Sequence, residues 1–209
     1  MPDLTIKNNK AGGFYLIAEI FVTFVLAGIV KTLQPDFSVF LILFIRYVFC
    51  LPLLVAYAIY IRGPNFLKIK NIKGLILRSS FGFLGLLTWF LAITKIDISL
   101  ATALLMTMPI FITGLSVVIA KEKVGVRRLS SVILGFFGIL VLLLPITPEL
   151  NIWGAIFALL GALFAALMFV YLRILGRSDS PVSTAIWYNS VGAVLAGILT
   201  YIFDRTTPL

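Results

Sequence analysis

The sequence predicts an all-α integral membrane protein of about seven transmembrane helices. Of its 209 residues, 61% are hydrophobic and only 12% are charged, with a mean hydropathy of +1.14. Soluble domains are about 45–50% apolar and about 25% charged, so this chain cannot cover its apolar surface in water. Its apolar residues also fall into seven continuous runs, each close to the ~20 residues a helix needs to cross the hydrocarbon core. Long strand-like alternation is absent, which favours helices over a barrel.

The expected spans are Gly12–Val30, Phe37–Ile61, Gly74–Thr94, Ile98–Ala120, Leu129–Ile146, Ile152–Leu172 and Val182–Phe203. The first contains Val25-Leu26-Ala27, which meets a small-residue cleavage rule, but the run is long enough to remain as an anchor. The second follows Pro35 and contains Pro52. Lys95-Ile96-Asp97 joins the third and fourth as a tight helical hairpin. Pro109, near the centre of the fourth, frees a backbone carbonyl and permits a kink. A basic loop precedes the fifth span. The sixth repeats Gly154, Ala158, Ala162 and Ala166 at a spacing of four, as Gly192 and Ala196 do in the seventh. Such stripes let helix backbones approach closely. Seven spans occupy ~140 residues and leave no room for a soluble domain.

Charge placement gives the topology. Thirteen of the 17 Lys and Arg residues fall at the N-terminus and in alternate connections, all on one side; these include Arg62, Lys68, Lys70, Lys73 and Arg78. Lys31, Lys95 and Arg205 fall on the other side, and Arg46 lies within a span. The positive-inside rule therefore puts the N-terminus on the cytoplasmic side. The net charge of +9 is thus topology rather than a nucleic-acid footprint.

The absence of histidine removes Ser-His-Asp and Cys-His nucleophiles, His-containing metal sites and imidazole relays. The single cysteine, Cys50, cannot form an intrachain disulfide. No enzyme activity, metal or cofactor is expected, and no nucleotide-binding motif supports direct ATP drive. The expected partners are a small-molecule solute and the lipid bilayer, with association into a homo-oligomer left open.

Two ionisable residues stand well within spans, Glu19 and Arg46. A charge in hydrocarbon needs a partner, a water cavity or a function. Their backbones differ in depth by ~12 Å at ~1.5 Å per residue, so an ion pair, a structural polar contact and a polar pathway all remain open. Kinked helices at mid-membrane recur at transporter sites, which adds Pro109 and the neighbouring Met106 as candidates. Trp89, near the outer end of its helix, fits either an interfacial belt or the wall of a solute cavity. The substrate-binding candidates are therefore Glu19, Arg46, Trp89, Met106 and Pro109.

The sixth and seventh spans weakly echo the first two: Phe44-Ile45-Arg46-Tyr47 is answered by Ile186-Trp187-Tyr188-Asn189. The offset of five spans inverts the second unit, the arrangement of alternating-access transporters. With Phe44–Tyr47, the hairpin Trp89–Phe111, Ala120-Lys121-Glu122-Lys123-Val124 and the glycine-rich Ile133–Ile139, the chain resembles the EamA family of the drug/metabolite transporter superfamily. The resemblance implies a secondary transporter of small organic solutes in a bacterial inner membrane, with ten helices in two inverted five-helix repeats. Residues 1–11 would form a cytoplasmic segment, 12–146 a complete repeat, and 147–209 the start of a second that lacks three helices. The alternative expectation is a non-transporting truncated remnant or a membrane assembly module.

Overall fold

The computed structural model describes residues 9–33, 36–63, 66–119 and 151–204, together with 125, 130, 133–135, 137–138 and 141; the side chains of 9–16, 19, 20 and 62 lie outside the description. All the regular structure among the described residues is helical: α1 (Asn9–Leu33), α2 (Val39–Arg62), α3 (Ile72–Lys95), α4 (Ile98–Leu105), α5 (Met108–Val118), α6 (Ile152–Leu175) and α7 (Pro181–Phe203). Among the described residues, five stretches are long and apolar enough to cross a membrane: Val39–Ile61, Ile72–Lys95, Ile98–Val118, Ile152–Leu175 and Pro181–Phe203. The chain is therefore an integral membrane helical protein. Most of the expected fifth span, and the Lys121-Glu122-Lys123 loop, lie outside the described residues.

Side chains at the boundaries satisfy the orphan N–H groups that every helix start leaves. Ser38 accepts from the Leu41 N–H at 3.1 Å to start α2. Asn71 accepts from Gly74 at 2.9 Å to start α3. Asn151 accepts from Trp153 and Gly154 to start α6. The fourth span breaks as its proline predicts. Around Met106 and Thr107 the backbone tightens to three-residue bonds, with Thr107 N donating to Leu104 O at 3.0 Å and Ile110 N to Thr107 O at 2.9 Å. Pro109 has no N–H to offer the Leu105 carbonyl. Pro52, in contrast, sits inside an unbroken α2.

Helix α3 lies along α6, and α2 along α7; α4 and α5 rest on α6, while α1 touches the bundle sparsely. Small residues allow the closest approach, as the stripe in the sixth span requires. Ala158, Ala162 and Ala166 are fully buried. A Cβ at Gly85 would meet the backbone of Ala165 at 3.1 Å, and one at Gly154 would meet the Ile96 side chain at 2.5 Å.

Contacts between connections fix which helix ends lie together. At one end the Lys31 ammonium donates to the carbonyls of Ile93 (2.7 Å) and Ile96 (3.3 Å), closing the C-terminus of α3. There too, Ser38 Oγ donates to Asp204 Oδ2 at 2.7 Å. At the other end Asp179, between α6 and α7, accepts from the Lys70 and Asn71 N–H groups (2.5 and 3.1 Å) and from Ser178 Oγ–H (2.6 Å). The α2–α3 and α6–α7 connections thus share one end, as the partition of basic residues expects. One member of that partition needs correction. Arg78 belongs to no loop; it sits six residues into α3 and is 7% exposed.

Burial pushes the Asp179 carboxyl up, but the N–H of Lys70, the Ser178 hydroxyl, the N–H of Asn71 and the charge of Lys70 outweigh it and hold it below its ordinary value. The ionised clamp therefore contributes stability above the unfolded carboxylate's pKa of about 3.9. That contribution is lost as pH falls through the lower folded value. Thermal midpoints in detergent from pH 6 down to pH 2 should fall on the acid side, and Asp179→Asn should flatten that dependence.

Candidate functional site

Two tyrosines and two arginines come together where α2, α3 and α7 meet. Tyr47 is completely buried, and its hydroxyl lies 3.0 Å from that of Tyr188. Tyr188 Oη in turn donates to the Gly82 carbonyl at 3.3 Å. Because a carbonyl can only accept, Tyr47 must be the donor in the tyrosine pair, giving a directed chain from Tyr47 to Tyr188 to the α3 backbone. The two rings meet edge to face at 5.6 Å, and Tyr47 stacks on Phe83 at 6.2 Å. Both arrangements suit aromatic quadrupoles.

Glycines make the room. A Cβ at Gly192 would fall 2.6 Å from the Tyr47 ring, and one at Gly82 would fall 2.7 Å from the Tyr188 ring. Each tyrosine therefore lies against a glycine of another helix. Gly192, expected to bring backbones together, instead admits a side chain.

Two guanidinium groups flank the pair. The Arg46 Cζ lies 5.2 Å from the centre of its neighbour's ring, Tyr47, and the Arg78 Cζ lies 4.7 Å from that of Tyr188. Arg78 Nη1 also approaches the Thr184 carbonyl at 3.4 Å. These cation–π contacts offset part of the cost of holding charge away from water. Hydrogen bonding stays incomplete: Arg46 Nη1 and Arg78 Nε are buried donors with no partner. Removing the shared tyrosine hydroxyl bond should cost about 0.6 kcal/mol, the typical value between membrane helices. Tyr47→Phe should show that loss in equilibrium unfolding, and Tyr188→Phe a larger one, because it also removes the bond to the Gly82 carbonyl. The double variant should lose less than their sum, because both single changes break the shared tyrosine bond.

The expected site residues are distributed unevenly. Arg46 is in the cluster. Trp89 is 4% exposed, its ring 5.7 Å from Phe90 and its β-carbon against Gly161, so it packs between α3 and α6 rather than in an exposed belt. Its indole N–H is buried without a partner. Met106, 52% exposed, and Pro109 lie at the break of the fourth span, beside α6 rather than in the cluster. Glu19 lies on α1, with its side chain outside the described residues.

Tyr47, Tyr188, Gly82 and Arg78 were not among the expected binding residues. The tyrosines were visible in the echo between spans two and seven. Arg78 already lay inside the expected span Gly74–Thr94, and the Asn71 cap three residues ahead of Gly74 sets it deeper in the helix.

Comparison with known proteins agrees with this architecture. The family model of the EamA-like transporter family matches residues 11–144. An S-adenosylmethionine uptake transporter of Rickettsia prowazekii is 28% identical over 147 residues, covering 70% of this chain and 48% of that protein. A riboflavin transporter of Brucella anthropi is 29% identical over 139 residues, covering 66% of this chain and 47% of that protein. An uncharacterised transporter of Archaeoglobus fulgidus is 31% identical over 121 residues, covering 58% of this chain and 43% of that protein. The chain thus spans about half the length of these curated relatives. No solved structure matches it. Membrane-length helices, interior polar groups and a family match across most of the first 144 residues have one reading: the chain belongs to the EamA-like transporter family, a family of transporters rather than enzymes.

Proposed function

We propose that this chain serves secondary transport of a planar, acceptor-rich metabolite by alternating access, with the Arg46–Tyr47–Arg78–Tyr188 cluster as its polar contact. The observation that carries this reading is the pair of buried guanidinium donors left without partners beside two tyrosine rings. Buried donors are costly unless something accepts from them. A flat heteroaromatic solute with oxygen or nitrogen acceptors at its edge would stack on the rings and accept from the guanidinium groups. The relatives named for S-adenosylmethionine and riboflavin support the class, since both solutes carry such rings.

Glu19 is the proposed charge partner or proton site of Arg46. Trp89, Met106 and Pro109 form the aromatic and kinked walls nearer the fourth span. The basic connections support a cytoplasmic N-terminus in a bacterial inner membrane. Residues 12–146 form one repeat and 147–209 the beginning of an inverted second.

The test is a thermal-shift screen of the purified chain in mild detergent against S-adenosylmethionine, riboflavin, nucleosides and amino acids, followed by uptake into proteoliposomes. A solute present at 100 times its Kd should stabilise the fold by about 2.7 kcal/mol. A saturable shift confined to amino acids without rings would overturn the planar-solute reading.

A further inference from the structure

A second feature lies apart from the tyrosine cluster. Between the first turns of α3, the start of α7 and the preceding connection is a half-open cavity of about 380 Å³. Its α3 wall is Ile72, Leu75, Ile76, Ser79 and Ser80, spaced so that they share one helix face. Trp187 and Val191 of α7 form the opposite wall, with Leu67 at the mouth. The Trp187 indole N–H donates to the Leu67 carbonyl at 3.0 Å, tying the mouth to α7. Tryptophan in this half-exposed position suits the membrane–water boundary. The groove extends ~12 Å along α3 from its first turn, at ~1.5 Å per residue.

Two observations indicate the occupant. The wall is mostly apolar, with Ser79 and Ser80 as its polar side chains, and Ser79, 1% exposed, has a buried hydroxyl with no hydrogen-bond partner. A group deep in the groove that carries an oxygen would satisfy it. The mouth is strongly basic: Lys68 and Lys70 flank the lining residue Ile69, and Lys73 follows Ile72, all three exposed. Asp179 is the neighbouring acid among the described residues, and both its oxygens are occupied by the Lys70, Asn71 and Ser178 hydrogens. The mouth thus keeps a net positive charge beside an apolar slot.

We propose that this groove is a binding site for an anionic phospholipid. An acyl chain lies between α3 and α7, an ester oxygen accepts from Ser79, and the phosphate rests among Lys68, Lys70 and Lys73. Charge at the mouth selects the headgroup, because lysines beside a membrane surface attract anionic lipid. The apolar walls select a lipid over free phosphate.

Native mass spectrometry of the purified 209-residue chain tests this, using phosphatidylglycerol and phosphatidylcholine with the same acyl chains, and glycerol phosphate as the headgroup alone. Phosphatidylglycerol should be retained at least about fivefold over phosphatidylcholine, the effect of one surface lysine, and glycerol phosphate should not be retained. The Lys68→Ala/Lys70→Ala/Lys73→Ala variant should lose the preference. Ile76→Trp, a change at an exposed position that fills the slot, should reduce retention of both lipids. Equal retention of the two lipids, or a preference that survives the lysine substitutions, would overturn the proposal. So would retention of glycerol phosphate, or a dimer lost in Ile76→Trp while lipid adducts persist, since the latter would make a second copy the occupant.

Discussion

Gly192→Ala is expected to destabilise the bundle by about 1–3 kcal/mol, the usual cost of forcing a carbon into a packed interior. The added Cβ would fall 2.6 Å from two atoms of the Tyr47 ring and 2.9 Å from a third. That ring cannot retreat freely, because Phe83 and Tyr188 already pack on it. Gly28→Ala and Gly114→Ala are suitable controls, since a Cβ at either meets nothing within 4 Å. There the substitution should be neutral or favour the helix. Pairing Gly192→Ala with Tyr47→Leu should recover part of the loss. Tyr47→Phe should recover none, because the collision is with ring carbons rather than with the hydroxyl. Equilibrium unfolding in mixed micelles measures all of these, and additive losses in the Tyr47→Leu pair would disprove the contact.

Arg78→Gln is expected to reduce transport at least tenfold under the proposed function, while Arg78→Lys keeps the charge but loses the planar fork. Lysine cannot reproduce a guanidinium stacked on Tyr188 with donors directed to both Thr184 and a solute. If Arg78 contacts the solute, both variants fold, bind the solute more weakly and transport slowly. If it only braces α3 against α7, both lose stability and solute affinity is unchanged in the folded fraction. Thermal-shift titration with the solute found in the screen separates these results. Arg46→Gln should weaken binding in the same way.

The sequence determined the class of protein, the helix order and the ends of the described spans to within three residues. Continuous apolar runs in a chain with 12% charge and no strand-like alternation favour helices in a bilayer, whatever packs beside them. The break in the fourth span was also legible, since Pro109 removes a backbone donor regardless of its neighbours. So was the pairing of the α2–α3 and α6–α7 connections at one end, which follows from alternation alone.

What lies inside the bundle was decided only by the tertiary structure. In a chain this apolar, every helix face reads alike, so hydropathy does not say which face meets protein and which meets lipid. Arg78 reads as one more positive-inside charge until α7 is packed across it. Trp89 fits either a belt or a cavity wall until α6 covers it. Tyr47 and Tyr188 are 141 residues apart and become a hydrogen-bonded pair only because α2 and α7 run side by side. Gly82 and Gly192, indistinguishable in sequence from other small residues, matter because of the ring that each one faces.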